Sequence, residues 1–429
     1  MNAVLLAIAA CLSAQAPPAT ATGSEPGLAE RVAELVRELG SPEARQREDA
    51  QRQLLELGPK VLPHLPSLTR QTPAEVRARL EQIHRTLEKA EIEAAVRPSQ
   101  ITLSGPLPLS QVAAAITMQS GNRLVDYRPR FMQKASDPVV DLTLQHVPFW
   151  EALDQVLDAA GLTLYPFPEE RGVLAYVARP PGAQRRTKLG CASGCFRFEP
   201  ARLVAQRDLR DPSLQSLRLA VDVLWEPRLR PIALEVPLGE LKAEDEKGQP
   251  LATGSQATVE VPVDGVSSAA SLELPLAAPP RSSLWLARVR GTMTALVLGR
   301  TETFEFPQVA RARQLEQQRG GVTVVIEAAR KSGDLFDVTV RVRYERAANA
   351  LESHRGWIYD NEAYLVDRQG RRSESVGLEA TLLMPNEVGL SYKFHPTEGA
   401  TEELTFIYRT PAEIHRLGVP WELKDLELP

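Results

Sequence analysis

Several residue types that support catalysis are scarce in this 429-residue sequence. The six histidines stand singly, and no two of them have the i, i+4 or H-E-x-x-H spacing of a zinc site. G-x-S-x-G, P-loop and G-x-G-x-x-G motifs are also absent from the sequence. The residues therefore predict no catalytic, cofactor-binding or metal site, and we expect a protein that is not an enzyme.

Basic stretches, aromatic residues and long apolar runs are also in short supply. The formal net charge is −5 with both signs interspersed, whereas nucleic-acid binding needs a basic face, so no nucleic-acid partner is expected. Aromatic residues make up only 5% of the chain, which disfavours a long platform for stacking sugars or bases. Beyond the N-terminal segment, no stretch is long and apolar enough to predict a transmembrane helix.

The N-terminal segment resembles an export signal. The apolar run Ala3 to Leu12 has secretory length, and two small-residue sites end at Ala16 and Ala21, so residues 1–21 are predicted to be a signal peptide cleaved after 16 or 21. Residues 22–26 are predicted to form a flexible lead. Two alternatives remain open: Ile8-Ala-Ala-Cys11 resembles a lipobox, which would anchor a lipoprotein through Cys11, and the run could instead be a buried first helix. Membrane contact is expected only if Cys11 is lipidated.

Two cysteines lie close together further along the chain, at Cys191 and Cys195. In an exported protein such a pair suggests a disulfide, and Gly194 could help to close the short loop. Metal binding, a redox role and two inert thiols are the alternatives, although two thiolates would need further ligands and the spacing is not C-x-x-C.

Residues 27–97 have helical periodicity throughout. Leu28, Val32, Leu35 and Leu39 fall on one helix face, and Ser41-Pro42 provides a cap and first turn for the next helix. The string that begins Leu39-Gly-Ser-Pro-Glu-Ala-Arg-Gln-Arg-Glu48 and runs on through Gly58-Pro-Lys-Val-Leu-Pro63 resembles a HEAT-type repeat. Only one or two units fit, so the resemblance implies a docked helical hairpin and not a free solenoid.

Residues 98–180 read strand, helix, strand, strand, helix, strand, which predicts an α+β module of βαββαβ order. The second helix has a stripe of Phe149, Ala152, Leu153, Val156 and Leu157 at 3.6-residue spacing. We expect this stripe to pack on one sheet made from the segments around residues 101–103, 124–127, 139–144 and 162–165. On the opposite face of the helix, the acidic residues 151, 154 and 158 are expected to face solvent.

The phrase Val140-Asp-Leu-Thr-Leu-Gln-His-Val-Pro-Phe-Trp-Glu-Ala-Leu-Asp-Gln-Val-Leu-Asp-Ala-Ala-Gly161 resembles the short N-terminal module of secretins and TonB-dependent receptors, the STN-like domain. The upstream Leu109-Ser-Gln-Val-Ala-Ala-Ala-Ile116 segment is similar to its first half. The resemblance covers about one fifth of the chain and is a pattern of apolar positions. It implies a small module that contacts other proteins in the periplasm or envelope, and it transfers no active site.

From Thr187 onward, alternation of period two replaces the helical period. Strands with closely spaced turn signals predict two antiparallel β-sandwiches of immunoglobulin-like size, at 185–308 and 320–429. Residues 310–318 between them read as a polar helical connector.

One cluster in the second sandwich has the residue types of a ligand patch. Its acidic oxygens suit calcium, and its aromatic rings suit a sugar or a partner side chain, although core aromatics and turn-forming residues explain the cluster equally well. The cluster comprises Trp357, Tyr359, Asp360, Glu362, Tyr364 and Asp367.

Together these features favour an exported, non-enzymatic multidomain protein in the periplasm or outside the cell. Its expected role is contact with, or assembly of, another envelope protein. The alternative is a secreted carbohydrate-binding protein or hydrolase with a site between modules, which a concave pocket with clustered carboxylates would favour.

Overall fold

The structure is a computed structural model of the chain. It describes residues 27–66, 72–211, 214–253, 255–263, 265–280, 282–299, 301–345, 356–395, 403–412 and 414–429. The predicted signal peptide, the lipobox and the flexible lead lie outside these residues. The chain divides into two compact units at residues 88 and 89, and helix α3 contributes to both.

The first unit is helical, as the sequence predicts. Its elements are α1 Leu28–Glu38, α2 Ala44–Leu57, a 3-10 turn Pro59–His64 and the first part of α3 Ala74–Val96. Val32, Leu35, Leu54, Val61 and Ile83 are fully buried in a single core. Gly58 ends α2 with a φ of 76°, a backbone conformation that L-residues other than glycine rarely adopt.

The second unit begins with the α+β module. Its elements are β1 Gln100–Leu103, β2 Pro106–Pro108, α4 Leu109–Ser120, β3 Arg123–Asp126, a 3-10 turn Arg128–Phe131, β4 Val139–Asp141, β5 Leu144–Pro148, α5 Phe149–Ala159, β6 Leu162–Tyr165 and β7 Val173–Ala178. Leu153, Val156 and Leu157 of α5 are buried in the core of this module, so the predicted apolar stripe is confirmed.

The strands of the module do not form the single sheet that the sequence suggested. Instead β1 pairs with β5, β2 pairs with β4, and β7 lies between β3 and β6, parallel to β3 and antiparallel to β6. Alternating apolar residues show which face of a strand is buried but not which strand lies beside it. Prolines at both ends of β2 also keep its ladder short, because proline cannot donate a hydrogen bond.

Two β-structures follow the module. The strands are β8 Cys191–Ser193, β9 Phe196–Arg207, β10 Gln215–Trp225, β11 Pro231–Pro237, β12 Lys242–Asp245, β13 Pro250–Leu251, β14 Thr258–Pro262, β15 Ala269–Leu276, β16 Trp285–Leu298, β17 Thr301–Phe306, β18 Leu315–Arg319, β19 Val322–Ser332, β20 Leu335–Tyr344, β21 Glu362–Val366, β22 Arg372–Leu383, β23 Glu387–Phe394, β24 Thr405–Pro411 and β25 Ile414–Glu427. Helix α6, Gly356–Tyr359, precedes β21, and 3-10 turns cover Arg186–Lys188, Leu238–Glu240 and Val309–Arg311.

The first β-structure is a sandwich of two sheets around one core. One sheet has the order β15-β10-β9-β8. In the other, β16 is central: β12 and β11 pair with successive parts of one side, and β25 pairs with the other side along its whole length, from Trp285↔Glu427 to Leu298↔Ile414. Strands β13 and β14 extend this sheet beyond β12 and β11.

The second β-structure is one sheet of eight strands folded round its own core. The order is β17-β24-β21-β22-β23-β20-β19-β18, and the Gln317 amide of β18 donates to the Glu305 carbonyl of β17 at 2.6 Å, which joins the two ends. The chain is thus multidomain and mostly β, with helices at its N-terminal end.

Strand pairing corrects the predicted domain limits at two places. Strand β25 lies within the predicted 320–429 sandwich but pairs with β16 of the first, and β17 lies within 185–308 but pairs with β24 of the second. The predicted helical connector is also wrong, since it contains a 3-10 turn and strand β18. Strand β18 lies at an exposed edge of the sheet, so polar residues occupy most of its positions. A strand made of polar residues resembles a surface helix in sequence.

Candidate functional site

The acidic residues of the predicted ligand patch are engaged by the protein itself. A carboxylate oxygen of Asp360 lies 3.4 Å from Arg171, and Glu362 lies 3.1 Å from Arg409. Asp367 is buried and accepts hydrogen bonds from the backbone N–H groups of Gln369 and Arg371 at 2.9 Å each, which closes the turn after β21. Burial alone would raise the pKa of Asp367, but these bonds hold it below its ordinary value.

The aromatic residues of the same patch point in different directions. Trp357 packs edge-on against Tyr344 in the core, and the Arg372 guanidinium covers the Tyr364 ring at 3.6 Å. Tyr359 is the most open of the three, with 39% of its surface exposed, and Tyr364 is half-buried. Across the described residues, no three His, Cys, Asp or Glu side chains are grouped so that they could hold a metal ion. The structure therefore places Trp357 in the core, Tyr364 under an arginine and the three acidic residues against protein groups.

Both cysteines are free thiols in the structure, so the predicted disulfide is not formed there. Cys191 pairs with Phe198 across the β8–β9 ladder, while Cys195 lies in the connecting turn and is fully buried. The two are therefore not opposed as a cross-strand pair. Burial raises the pKa of Cys195 to about 12, and it also raises that of Cys191.

An open groove on the first sandwich is the strongest candidate site. Its volume is about 1260 Å³. One wall consists of β8, the middle of β9 and the loop before β8, and the other is β25 with its neighbours β16 and β12. Among the described strands, β8 pairs only with β9 and β25 pairs only with β16, so an edge strand of each sheet borders the groove. Leu219 and Leu423, which belong to the sandwich core, also line it.

Trp421 occupies a special place in this groove. It is 4% exposed and stacks on Phe198, with ring centroids 5.6 Å apart. Gly291 stands directly opposite it in the β16–β25 register. A Cβ placed on Gly291 would lie 3.5 Å from Cζ2 and 3.7 Å from Cε2 of Trp421. The nearest atom to such a Cβ would be Leu241 Cδ1 at 3.2 Å, so Gly291 lets the Leu241 and Trp421 side chains pack closely against the backbone of β16.

Two nitrogen donors that line the groove lack partners. The Trp421 indole N–H and the Arg290 Nε–H are both buried, and neither has a hydrogen-bond partner among the described residues. Buried donors without partners are rare in folded proteins, because each one loses its bond to water without replacement. Beside the groove, the protein thus buries two donors whose hydrogen bonds to water it does not replace.

Charged side chains of both signs surround the groove. Glu422 lies 3.0 Å from Lys424 and 3.5 Å from Arg288, and these cations hold its pKa below the ordinary value. In the described part of the chain Lys188 and Lys242 have no ion-pair partner. The groove thus combines an apolar floor with a polar rim, which is the composition of a protein interface.

The groove contains two side chains of nucleophile type, Cys191 and Ser193, but no histidine beside them. The raised pKa of Cys191 keeps its thiol protonated at neutral pH, the opposite of what a cysteine nucleophile requires.

A buried ionic network fixes the wall that contains the loop before β8. Asp154 of α5 accepts from Arg186 at 2.9 Å and from Arg197 at 2.6 Å, and Glu199 contacts both arginines. The two guanidinium groups are 2% and 3% exposed. The network joins the α+β module to the first sandwich, immediately before the groove residue Lys188.

Asp158 continues this contact one turn along α5. It accepts from the backbone N–H groups of Arg186 at 2.8 Å and Thr187 at 3.0 Å. The expectation that Asp154 and Asp158 face solvent is therefore wrong, and of the three acidic residues only Glu151 is exposed. The face opposite the apolar stripe of α5 is covered by a neighbouring domain, which helical periodicity cannot reveal.

A second buried carboxylate strengthens the same joint. Glu226 is fully buried at the end of β10. It accepts from Ser99 Oγ at 2.5 Å, Asn122 Nδ2 at 2.8 Å and Arg228 Nε at 2.9 Å. The joint therefore holds the module and the sandwich in one arrangement.

Local sequence patterns do not indicate the groove, because its walls are far apart in the chain. Trp421 lies in a segment that alternates as an ordinary closing strand, and nothing local shows that this strand borders β8. A signal was present in Pro420-Trp421: proline within a strand indicates an exposed edge.

Comparisons with known proteins give little further information. No family model matches this sequence, and no curated protein matches it. Among solved structures, a conserved domain protein from Bacillus anthracis aligns with 55% of this chain and 89% of its own, at 9% identity and a TM-score of 0.17. Among the described helices, none is both long and apolar enough to cross a lipid bilayer.

Proposed function

We propose that this chain is an exported, non-catalytic protein that binds another envelope protein through the groove between β8 and β25. The observation that carries the proposal is the groove itself, where edge strands of two sheets border an apolar floor that retains unpartnered donors. Sheet edges are common sites of protein recognition, because they present backbone groups that a partner segment can pair with.

The resemblances in the sequence support the same proposal. An STN-like module at 98–180 and a HEAT-like helical domain at 27–97 belong to classes that contact other proteins, and immunoglobulin-like sandwiches serve widely in extracellular recognition. The apolar run Ala3 to Leu12 supports export to the periplasm or beyond. The buried joint at Asp154 and Glu226 supports a rigid scaffold and not a hinged one.

The groove supports protein binding better than the carbohydrate alternative. Sugar sites present the open face of an aromatic ring, whereas Phe198 stacks on the ring of Trp421 and Trp421 is almost fully buried. The acidic residues that line the groove, Glu240, Glu422, Asp425 and Glu427, come from β25 and the turn before β12, which form one wall, whereas a glycosidase places two carboxylates on opposite sides of its substrate.

Site-specific photo-crosslinking in intact cells tests the proposal. A p-benzoylphenylalanine residue in place of Ala192, which is exposed in the groove wall, is expected to capture one envelope protein after irradiation. The matched control replaces Val376, which is 57% exposed on the second β-structure, and is expected to capture none. Equal capture from both positions, or none from Ala192, would contradict the groove as the binding site.

The N-terminus of the protein from native cells tests export separately. We expect mass spectrometry to find a free N-terminus at Pro17 or Thr22, which are the residues after the two predicted cleavage sites. A diacylated Cys11 would establish the lipoprotein alternative instead. An intact Met1 would contradict export.

A further inference from the structure

The end of the hairpin formed by β9 and β10 carries apolar side chains that the described chain leaves open. Leu209 in the turn is 91% exposed, Leu214 is 60% exposed and Val204 is 41% exposed. We infer that this end of the hairpin is a membrane-contact site, where the two leucines enter the headgroup layer of an anionic bilayer and neighbouring arginines bind the lipid phosphates. The inference goes beyond the proposed function, because none of residues 204–211 and 214–218 lines the groove.

The end of the hairpin projects from the sandwich as an arm. Strand β15 pairs with β10 only as far as Leu217, and β8 pairs with β9 only up to Phe198. Beyond the pair Leu217↔Ala205, the two strands therefore have only each other as neighbours among the described strands. From Ala205 to the turn at Asp208 the arm extends by about 10 Å, at roughly 3.4 Å per residue. This reach is similar to the depth of about 5–10 Å at which amphipathic segments lie in a bilayer surface.

The charges of the hairpin suit an anionic surface. Residues 200–218 include four arginines and two aspartates. One aspartate, Asp208, accepts hydrogen bonds from the backbone N–H groups of Arg210 at 2.6 Å and Asp211 at 3.0 Å, so its carboxylate is engaged by the turn itself. Three exposed arginines make no ion pair with any described residue, namely Arg207, Arg210 and Arg218. Their guanidinium groups are therefore free to bind phosphate oxygens through paired hydrogen bonds.

A bilayer covers such an arm more completely than one protein surface does. Every residue from Val204 to Asp211 is exposed, so both faces of this part of β9 are open. A partner protein would bury one of these faces, whereas lipid surrounds a tip that enters it. Binding to a bilayer increases with the apolar area that is buried and with the attraction to anionic headgroups, and the arm supplies both. This contact needs no lipid on Cys11.

Sedimentation with sucrose-loaded vesicles tests the inference. The chain that begins at Thr22 is used, because it keeps every described residue and lacks the apolar run Ala3 to Leu12, which can itself bind lipid. We expect it to bind vesicles made of equal parts phosphatidylglycerol and phosphatidylethanolamine. Phosphatidylcholine vesicles, which carry no net charge, are expected to bind it more weakly by about tenfold or more.

Removal of the exposed leucines tests their entry into the bilayer. The double variant L209S/L214S is expected to weaken binding to the anionic vesicles by about tenfold or more, because two apolar side chains no longer leave water. The matched control L383S changes a leucine that is 46% exposed on the second β-structure and is expected to bind like the wild type. Thermal unfolding of each variant confirms that these exposed positions leave the fold intact.

Removal of the unpaired arginines tests the electrostatic part. The variant R207Q/R210Q/R218Q is expected to bind the anionic vesicles more weakly by about tenfold or more and to lose the preference for them over phosphatidylcholine. R319Q, which replaces an exposed arginine of β18, is the matched control and should keep the preference. Equal binding of the wild type to both kinds of vesicle would overturn the role of the arginines.

A fluorescent label locates the contact without reference to affinity. A nitrobenzoxadiazole group on the thiol of L209C is expected to brighten and shift to shorter wavelength when anionic vesicles are added, because it leaves water. The same group on L383C is expected to keep its spectrum. Identical responses from the two positions would show that the chain meets the bilayer elsewhere.

Three results would overturn the inference. One is the absence of binding to anionic vesicles, or binding that L209S/L214S leaves unchanged. Another is a wild type that dimerises in sedimentation velocity and binds no lipid, while L209S/L214S stays monomeric, which would assign the arm to a second copy of the chain. The third is capture of a protein in cells by p-benzoylphenylalanine at position 209 without any binding to lipid. Each of them leaves the groove to be decided by the crosslink from Ala192.

Discussion

Arg197 Nη1 lies 2.6 Å from Asp154 Oδ2, although one residue belongs to the first sandwich and the other to a helix of the α+β module. Both side chains are almost completely buried. Charges in such a position are stable only with their counterions, since the protein interior solvates an isolated charge poorly. The pair therefore makes the stability of the module depend on the sandwich, and it leads to the first prediction.

Replacement of Asp154 by alanine is expected to destabilise the second unit by about 3–5 kcal/mol, because Arg186 and Arg197 would lose a buried counterion. Thermal unfolding followed by circular dichroism measures the effect. The control is E151A on the exposed side of the same helix, where a change of about 0.5 kcal/mol or less is expected. If D154A and E151A unfolded at the same temperature, the network would not stabilise the joint.

Replacement of Leu153 by alanine tests the other face of α5. Leu153 is fully buried in the module core, so the shortened side chain would leave a cavity and cost about 2–5 kcal/mol. Urea unfolding measures this cost, and Q155A, at a half-buried position on the same helix, gives the background. A cost below about 1 kcal/mol would mean that the core relaxes into the space or that the helix packs differently.

Asp158 gives a prediction about acid stability. Burial alone would raise the pKa of Asp158, but the N–H groups of Thr187 and Arg186, the Thr187 hydroxyl and Arg179 outweigh burial and leave the pKa below its ordinary value. The unfolded chain therefore binds a proton at a higher pH than the folded chain does. This stabilisation is present above the unfolded pKa of about 4, and it is lost as the pH falls toward the folded value.

The variant D158N cannot ionise at this position, so it isolates the effect of the carboxylate. We expect the difference in Tm between the wild type and D158N to be largest near pH 6 and to shrink as the pH falls from 5 to 3, in about that window. D334N, at an exposed turn, is the matched control and should show no such trend. A Tm difference that stays constant across the whole range would show that the charge of Asp158 is not linked to folding.

The two thiols of the first sandwich give a fourth prediction. Because Cys195 is fully buried and burial raises the pKa of both thiols, iodoacetamide should react slowly with the native chain at neutral pH. A chain that begins at Thr22 has lost Cys11 and keeps only Cys191 and Cys195, which are free thiols in the structure. Unfolding it without reductant is therefore expected to expose two reactive thiols. No reactive thiols would instead establish the bridge between Cys191 and Cys195 that their spacing suggests.

Local patterns predicted the elements well where one residue type repeats with a clear period. The apolar stripe around Leu153 placed α5 and its buried face correctly, and most strands of the two β-structures appear where alternation indicated them. Such patterns report the burial of each face, and burial is what fixes helices and strands in place.

Relationships between distant segments could not be predicted in the same way. The spacing of the acidic residues on α5 predicts exposure to solvent, because the sequence does not show that Arg186 and Arg197 cover them. The alternation around Trp421 likewise predicts a strand but does not indicate which strand lies beside it. The candidate groove depends on both relationships. Its residues come from β8, β9, β12, β16 and β25, which only the folded chain brings together.

The exchange of strands between the two β-structures has a consequence for the order of folding. Leu417, Val419, Trp421 and Leu423 belong to the core of the first sandwich but are synthesised after the whole of the second. The first sandwich therefore cannot complete its core while the chain is still emerging, and long-range pairings of this kind form slowly. A fragment cut at residue 308 would expose one side of β16 as an unprotected edge, so it should aggregate where the full chain stays dispersed.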